Sequence, residues 1–271
     1  MTFPSALRWT RPAGVPSPRS PGPPADRADA RLLLGWLAGL TVSEILLLVS
    51  VPAAAAGFAI LGLVLCLRTA LDNRAPAVRL PAVLAAVAVV RLVCVAVPGA
   101  GLPPLSRAAV IAVPVLVAVL LAARGRPAEW RLLRPGPGGW GVQGLVVLAG
   151  LPLGGLVALA APDAVPAATG LALPAAAVLA AAAVIPEELL YRGLLVPASV
   201  SVLGRAGVAV ATAGYAAGFA GWASIPVLGV AVATGLVLGW LRDRTGSTVG
   251  VVGARMVAAV LALLGAATLH S

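Results

Sequence analysis

The sequence predicts an all-α protein: a polytopic transmembrane helical bundle of about eight to nine spans. Three observations carry that reading. Of 271 residues, 61% are hydrophobic and 10% charged, with a mean hydropathy of +1.04, which leaves too little polar surface to wrap a water-soluble core. Several apolar runs reach the roughly 17 to 20 residues that cross about 30 Å of hydrocarbon as a helix, and a helix satisfies its own backbone hydrogen bonds in lipid. The two-residue alternation of a transmembrane barrel is absent, and the arginines gather in the short polar stretches between the apolar runs.

In chain order, residues 1–30 are rich in proline and arginine and hold too little apolar surface to offset the entropy of folding, so they read as a disordered cytoplasmic tail. No cleaved signal peptide is expected, because the first apolar run begins at Leu32 and is long enough to span. Apolar runs then fall near 32–50, 53–67, 80–98, 108–123, 141–161, 168–187, 206–222, 226–241 and 249–268. Nine spans is the count, with eight or ten also compatible; the second and eighth are short, and 194–204 either lies in the interface or extends the sixth helix. The basic linker 124–140, with its prolines, glycines and two tryptophans, suits a membrane surface. It separates a front four-helix block (31–123) from a rear membrane domain (141–271).

Loop arginines test this segmentation. The tail, Arg68 with Arg74 and Arg79, Arg124 with Arg126, Arg131 and Arg134, Arg192 with Arg205, and Arg242 with Arg244 all fall on one side, while Arg107 and Asp163 fall on the other. The positive-inside rule then places the N-terminus in the cytoplasm. The net charge of +10 is therefore a topology signal, and no nucleic-acid partner is expected. All the basic residues are arginine, in an Ala-, Val-, Gly- and Pro-rich chain, which points by composition to a GC-rich bacterial genome and hence a bacterial inner membrane. Cys66 and Cys94 sit inside spans, so no structural disulfide is expected.

Chemistry concentrates at Glu187 and Glu188, with Arg192 one turn on. Only nine residues are acidic, and two of them stand side by side in an apolar run. A charge in hydrocarbon costs roughly 2.5 to 3.5 kcal/mol on insertion scales, so such a cluster calls for partners, water or a task. Glu188 and Arg192 share a helix face and can pair; Glu187 and Tyr191 share the neighbouring strip. Two readings stay open on these grounds: a general base with a supporting carboxylate, or an ion pair at a helix end.

The pattern E-E-x-x-x-R, as PEELLYRG at 186–193, resembles the first motif of the CPBP intramembrane protease family, which includes the CAAX prenyl endopeptidases, the Abi proteins and lysostaphin-resistance-like proteins. The segment LGWLRDRTGSTVGVVGARMVAAVLALL at 238–264 resembles the family's closing helix, turn and helix. The resemblance implies peptide-bond hydrolysis in the membrane, with Glu187 as base and Glu188 and Arg192 in support. It also implies an F-x-x-x-H motif and a second histidine followed four positions later by Asn or a small residue. Here Tyr215 to Phe219 is the best match for the former, and Arg255 to Ala259 stand at the latter, so Phe219 and Arg255 replace both histidines. The only histidine is His270.

Phenylalanine cannot ligate a metal or orient water, and protonated arginine cannot act as a base or neutral nitrogen ligand. The chain thus reads as a degenerate family member, uncertain as an enzyme, with no cofactor expected and zinc only through a non-standard site. Arg255 could supply counter-charge, making Glu187, Glu188, Arg192 and Arg255 a neutral quartet that locks the bundle. The expected partners are the lipid bilayer and a membrane-associated peptide or protein. The competing class is a non-enzymatic scaffold or regulator, or a transporter component. Elsewhere, Glu44 and Arg91 lie mid-span and read as an interhelical pair. Gly214, Gly218, Gly221, Gly235 and Gly239 read as packing strips, and Trp36, Trp222 and Trp240 as interfacial anchors.

Overall fold

The computed structural model describes residues 27–71, 79–97, 104–123, 134–136, 138–160, 173–220 and 224–269. Every regular element among them is helical. The front block comprises α1 (Arg27–Leu47), α2 (Val51–Leu71), α3 (Arg79–Ala96) and α4 (Pro104–Ala123). The rear comprises α5 (Gly139–Leu148), α6 (Gly150–Ala160), α7 (Leu173–Glu188), a π-helical turn (Leu189–Leu195), α8 (Val196–Leu203), α9 (Ala206–Ala217), α10 (Ile225–Thr245) and α11 (Val249–Leu269). Four helices are long and apolar enough to cross a membrane: α1, α2, the combined Gly139–Ala160 and α10. Shorter apolar helices join them, and large aliphatic side chains such as Leu63, Leu121 and Leu159 face outward where a soluble protein would place polar groups. The chain is a multi-pass helical membrane protein.

Several boundaries differ from expectation for local reasons. Helix α1 starts at Arg27, inside the predicted tail, with Asp29 in its first turn to favour the positive end of the helix dipole; residues 1–26 lie outside the described residues. The second and eighth spans are full-length at 21 residues each, because α2 carries Arg68 within its last turn and α10 carries Arg242 and Arg244. The fifth span breaks at Ala149, whose N–H bonds to Val146 O at 3.0 Å, three residues back. Pro152, which lacks an N–H, follows three residues later. Gly246, at φ 67°, ends α10 in the left-handed region open to glycine.

The stretch at 194–204 continues the sixth helix. Pro197 has no N–H to donate to Gly193 O, and its ring would strike that carbonyl in a regular α-helix. The chain widens instead: Val196 N–H bonds back to Tyr191 O, five residues away.

Helix α3 lies between α2 and α4 and also meets the π turn, which is why seven of its residues between Val83 and Val90 are buried. Helix α11 packs along α5, α6 and α7. A Cβ at Gly154 would lie 3.0 Å from Ala258 Cα, so a glycine permits this close crossing. Gln143 of α5, 2% exposed, accepts the Gly250 N–H at 2.9 Å through Oε1 and so satisfies an otherwise orphaned donor in the first turn of α11. Gln143→Leu is expected to lower the unfolding free energy in micelles by about 1–3 kcal/mol, the usual cost of stranding a buried donor. Retained stability would remove Gln143 from the packing account.

The small-residue strips are mostly packing, as expected. A Cβ at Gly235 would meet Thr212 at 2.6 Å, and one at Gly239 would meet Val208 at 3.0 Å. Gly214 faces the Trp36 ring, where a Cβ would lie 2.6 Å from Cη2. That contact corrects the reading of Trp36 as an interfacial anchor: it lies more than two turns inside α1 and is 2% exposed in the shared core. Gly214→Val is accordingly expected to push Trp36 out of place and destabilise by about 1–3 kcal/mol, read as a lower unfolding midpoint and a shifted tryptophan emission. Trp240 does fit the anchor role, 52% exposed with Arg244 Cζ 5.5 Å above its ring. Trp222 and Gly221 lie outside the described residues.

Candidate functional site

The first-motif residues straddle the junction of α7 and the π turn. Pro186 and Glu187 border a cavity of about 310 Å³, while Glu188 points away from it and is fully buried. Arg192, 1% exposed, donates from Nη1 to Glu188 Oε1 at 3.1 Å, so the expected i to i+4 pair forms despite the widened turn. This corrects one assignment: Arg192 is an interior charge and contributes nothing to a solvated loop. Arg242 is likewise buried, with Nε donating to Thr248 Oγ1 at 3.2 Å.

Helix α9 brings the second-motif positions to the same place. Tyr215 is 2% exposed; its ring lies 3.9 Å from Arg192 Cζ, face-on to the guanidinium. Tyr191 and Phe219 each meet Tyr215 edge-to-face at 5.2 Å. Phe219 lines the cavity together with Glu187, Tyr191 and Tyr215.

Helix α11 supplies Arg255, which also lines the cavity. Its Nη2 donates to Tyr215 Oη at 3.3 Å, and its Nε lies 3.8 Å from Glu188 Oε1. Glu188 therefore sits between two guanidiniums. The neutral quartet reduces to this triad, since Glu187 joins no ion pair among the described residues. Adjacent residues on a helix diverge by about 100°, so Glu188 and Glu187 cannot both turn to the same arginines. Ala259, the last motif position, stands apart: it packs with Ala180 and Leu263 between α11 and α7.

The donor set does not suit a metal. Phe219 has no lone pair, Arg255 stays protonated, and among the described residues no group of three or more His, Cys, Asp or Glu converges.

A family model described as Type II CAAX prenyl endopeptidase Rce1-like matches residues 169–261. This segment is similar to the CPBP/CAAX protease family. The match covers about a third of the chain, including all of the motif positions on α7, the π turn, α9 and α11. No match was found among curated proteins or solved structures.

The CAAX protease-like segment does not build the cavity alone. Arg91 and Cys94 of α3 and Ile111, Ala112 and Val115 of α4 form its other side. Arg91 makes the expected interhelical pair with Glu44, donating from Nε and Nη2 to the two carboxylate oxygens, the second at 2.9 Å. Sequence reasoning found that pair without finding that Arg91 belongs to the site. The mid-span charge was visible, but nothing local indicated that α3 packs on the π turn.

Proposed function

We propose that this chain is a degenerate CAAX protease-like membrane protein whose second first-motif glutamate, Glu188, is held by arginine, leaving a binding or regulatory role in place of peptide hydrolysis. The observation that carries this reading is Arg255, at the position of the last motif histidine, placed against both Glu188 and Tyr215. Glu188 Oε1 accepts a hydrogen bond from Arg192 and lies within ion-pair range of Arg255, so this carboxylate is engaged by positive charge and does not line the cavity where a substrate would sit. Phe219, at the other histidine position, offers the cavity an apolar edge. Metal is not expected to contribute, so exhaustive chelation should leave the unfolding midpoint unchanged.

A second reading keeps the peptidase. Glu187 lines the cavity and has no ion pair among the described residues, which is the placement a water-activating base needs. The purified protein, reconstituted in liposomes with a fluorogenic peptide bearing a prenylated cysteine three residues from its C-terminus, separates the two. Cleavage at the level of empty liposomes, unchanged in Glu187→Gln, is the expected result. Cleavage abolished by Glu187→Gln in a folded protein establishes the peptidase.

We also propose a bacterial inner-membrane location with a cytoplasmic N-terminus, and a front block (31–123) and rear domain (141–271) joined by the basic linker 124–140. The distribution of arginine supports the orientation. Reporter fusions after α2 and after α4 should both be cytoplasmic; a periplasmic signal from either would reverse the topology.

A further inference from the structure

Each cavity-lining arginine stands beside a buried acid, Arg91 in a bidentate pair with Glu44 and Arg255 at 3.8 Å from Glu188. Glu44 and Glu188 are fully buried, while their partners Arg91 and Arg255 each keep 17% of the side chain exposed and both line the cavity. Arg91 commits Nε and Nη2 to Glu44, and Arg255 commits Nη2 to Tyr215; the Nη1 groups take no hydrogen-bond partner among the described residues. The acids are sealed and the guanidiniums are presented. They meet the same turn of α9: a Cβ at Gly218 would lie 3.4 Å from Arg91 Cζ, and Tyr215, three residues earlier, receives Arg255. Gly218 thus borders a guanidinium as well as its own helix.

The third charged group on the cavity is Glu187, without an ion pair among the described residues. Tyr191, Tyr215 and Phe219 supply an aromatic wall, and the remaining lining is apolar. A ligand matching these features carries an anionic group for two guanidiniums, a cationic group for one carboxylate, and an apolar body. We propose that the cavity binds the phosphoethanolamine head group of a membrane lipid, with phosphate at Arg91 and Arg255 and ammonium at Glu187.

Charge-assisted hydrogen bonds from guanidinium to phosphate, and from ammonium to carboxylate, are strong where water is scarce. The volume of about 310 Å³ suits a head group, and the residues of α4 and α7 that line it, Ile111, Ala112, Val115, Ala182 and Ala183, are apolar, as acyl chains leaving the site on that side require. An anionic lipid such as phosphatidylglycerol would satisfy the arginines and leave Glu187 facing a hydroxyl. Glu187 is therefore the selectivity element, and Arg91, outside the family-matched segment, is an anion-binding residue.

This inference rests on the non-peptidase reading of the same cavity. Native mass spectrometry and thermal-shift titrations of delipidated full-length protein would compare phosphatidylethanolamine, phosphatidylglycerol, soluble phosphoethanolamine and inorganic phosphate. Wild type should bind phosphatidylethanolamine at least tenfold tighter than phosphatidylglycerol. Glu187→Gln should abolish that preference. The Glu44→Gln/Arg91→Gln double variant, which removes both charges together, should weaken phosphatidylethanolamine binding tenfold or more while unfolding cooperatively; should it fail to fold, the Glu187→Gln preference decides. Equal binding of the two lipids, a preference unchanged in Glu187→Gln, or an equal shift from inorganic phosphate would overturn the proposal. Peptide cleavage in the liposome assay would overturn the non-peptidase reading separately, whatever the lipid preference.

Discussion

Replacing Arg192 with Met is expected to cost about 3–5 kcal/mol of stability, the usual result of stranding one partner of a buried ion pair. Glu188 is fully buried and its close contact is Arg192 Nη1 at 3.1 Å; Arg255 Nε, at 3.8 Å, is too far for a hydrogen bond. Removing Arg192 also uncovers the Tyr215 ring, which its guanidinium faces at 3.9 Å. The loss should appear as reduced yield in the membrane fraction and a lower midpoint of unfolding in mixed micelles. Adding Glu188→Gln to Arg192→Met should recover much of it, because the buried charge goes with its partner. A double variant no more stable than the single one would show that Arg192 acts through packing alone.

The second large effect is expected at the front block. Arg91→Leu leaves Glu44, also fully buried, facing apolar α3, and should cost about 3–5 kcal/mol by the same reasoning. Glu44→Leu/Arg91→Leu should be far milder, since a buried pair replaced by apolar residues of similar size is often close to neutral. The four-corner comparison in micelles gives the coupling directly. Near-zero coupling would contradict the bidentate geometry. Because Glu44 sits on α1 and Arg91 on α3, the pair ties two helices of the front block together, and α3 in turn packs on the π turn.

Helix existence and order were legible because a span is a long, one-signed hydropathy signal, and each of the nine apolar runs has a helical counterpart. Boundaries were less so. Arg68, Arg242 and Arg244 looked like loop residues yet extend their helices: Arg68 and Arg244 are exposed, as long side chains reaching the interface from the last turn of a span would be, and Arg242 is buried against Thr248. The π turn left no signature beyond Pro197, and a proline more often kinks or ends a helix than widens one.

At the site, the i to i+4 geometry of Glu188 and Arg192 and the counter-charge role of Arg255 followed from spacing and charge balance. The place of Glu187 did not, because sequence cannot say which of two adjacent carboxylates faces the cavity. Nor did Arg91, whose contribution depends on helix-to-helix packing between α3 and the π turn. Trp36 misled because its distance from the first helical residue was unknown until Arg27 was seen to start α1.

On the proposed reading, Arg255, standing where the motif calls for histidine, helps to hold Glu188. A double-mutant cycle between Glu188→Gln and Arg255→Ala, read as unfolding free energy in mixed micelles, tests it most directly. The two losses are expected to be non-additive, with a favourable coupling of about 0.5–3 kcal/mol. Strict additivity, or an Arg255→Ala protein as stable as wild type, would contradict it.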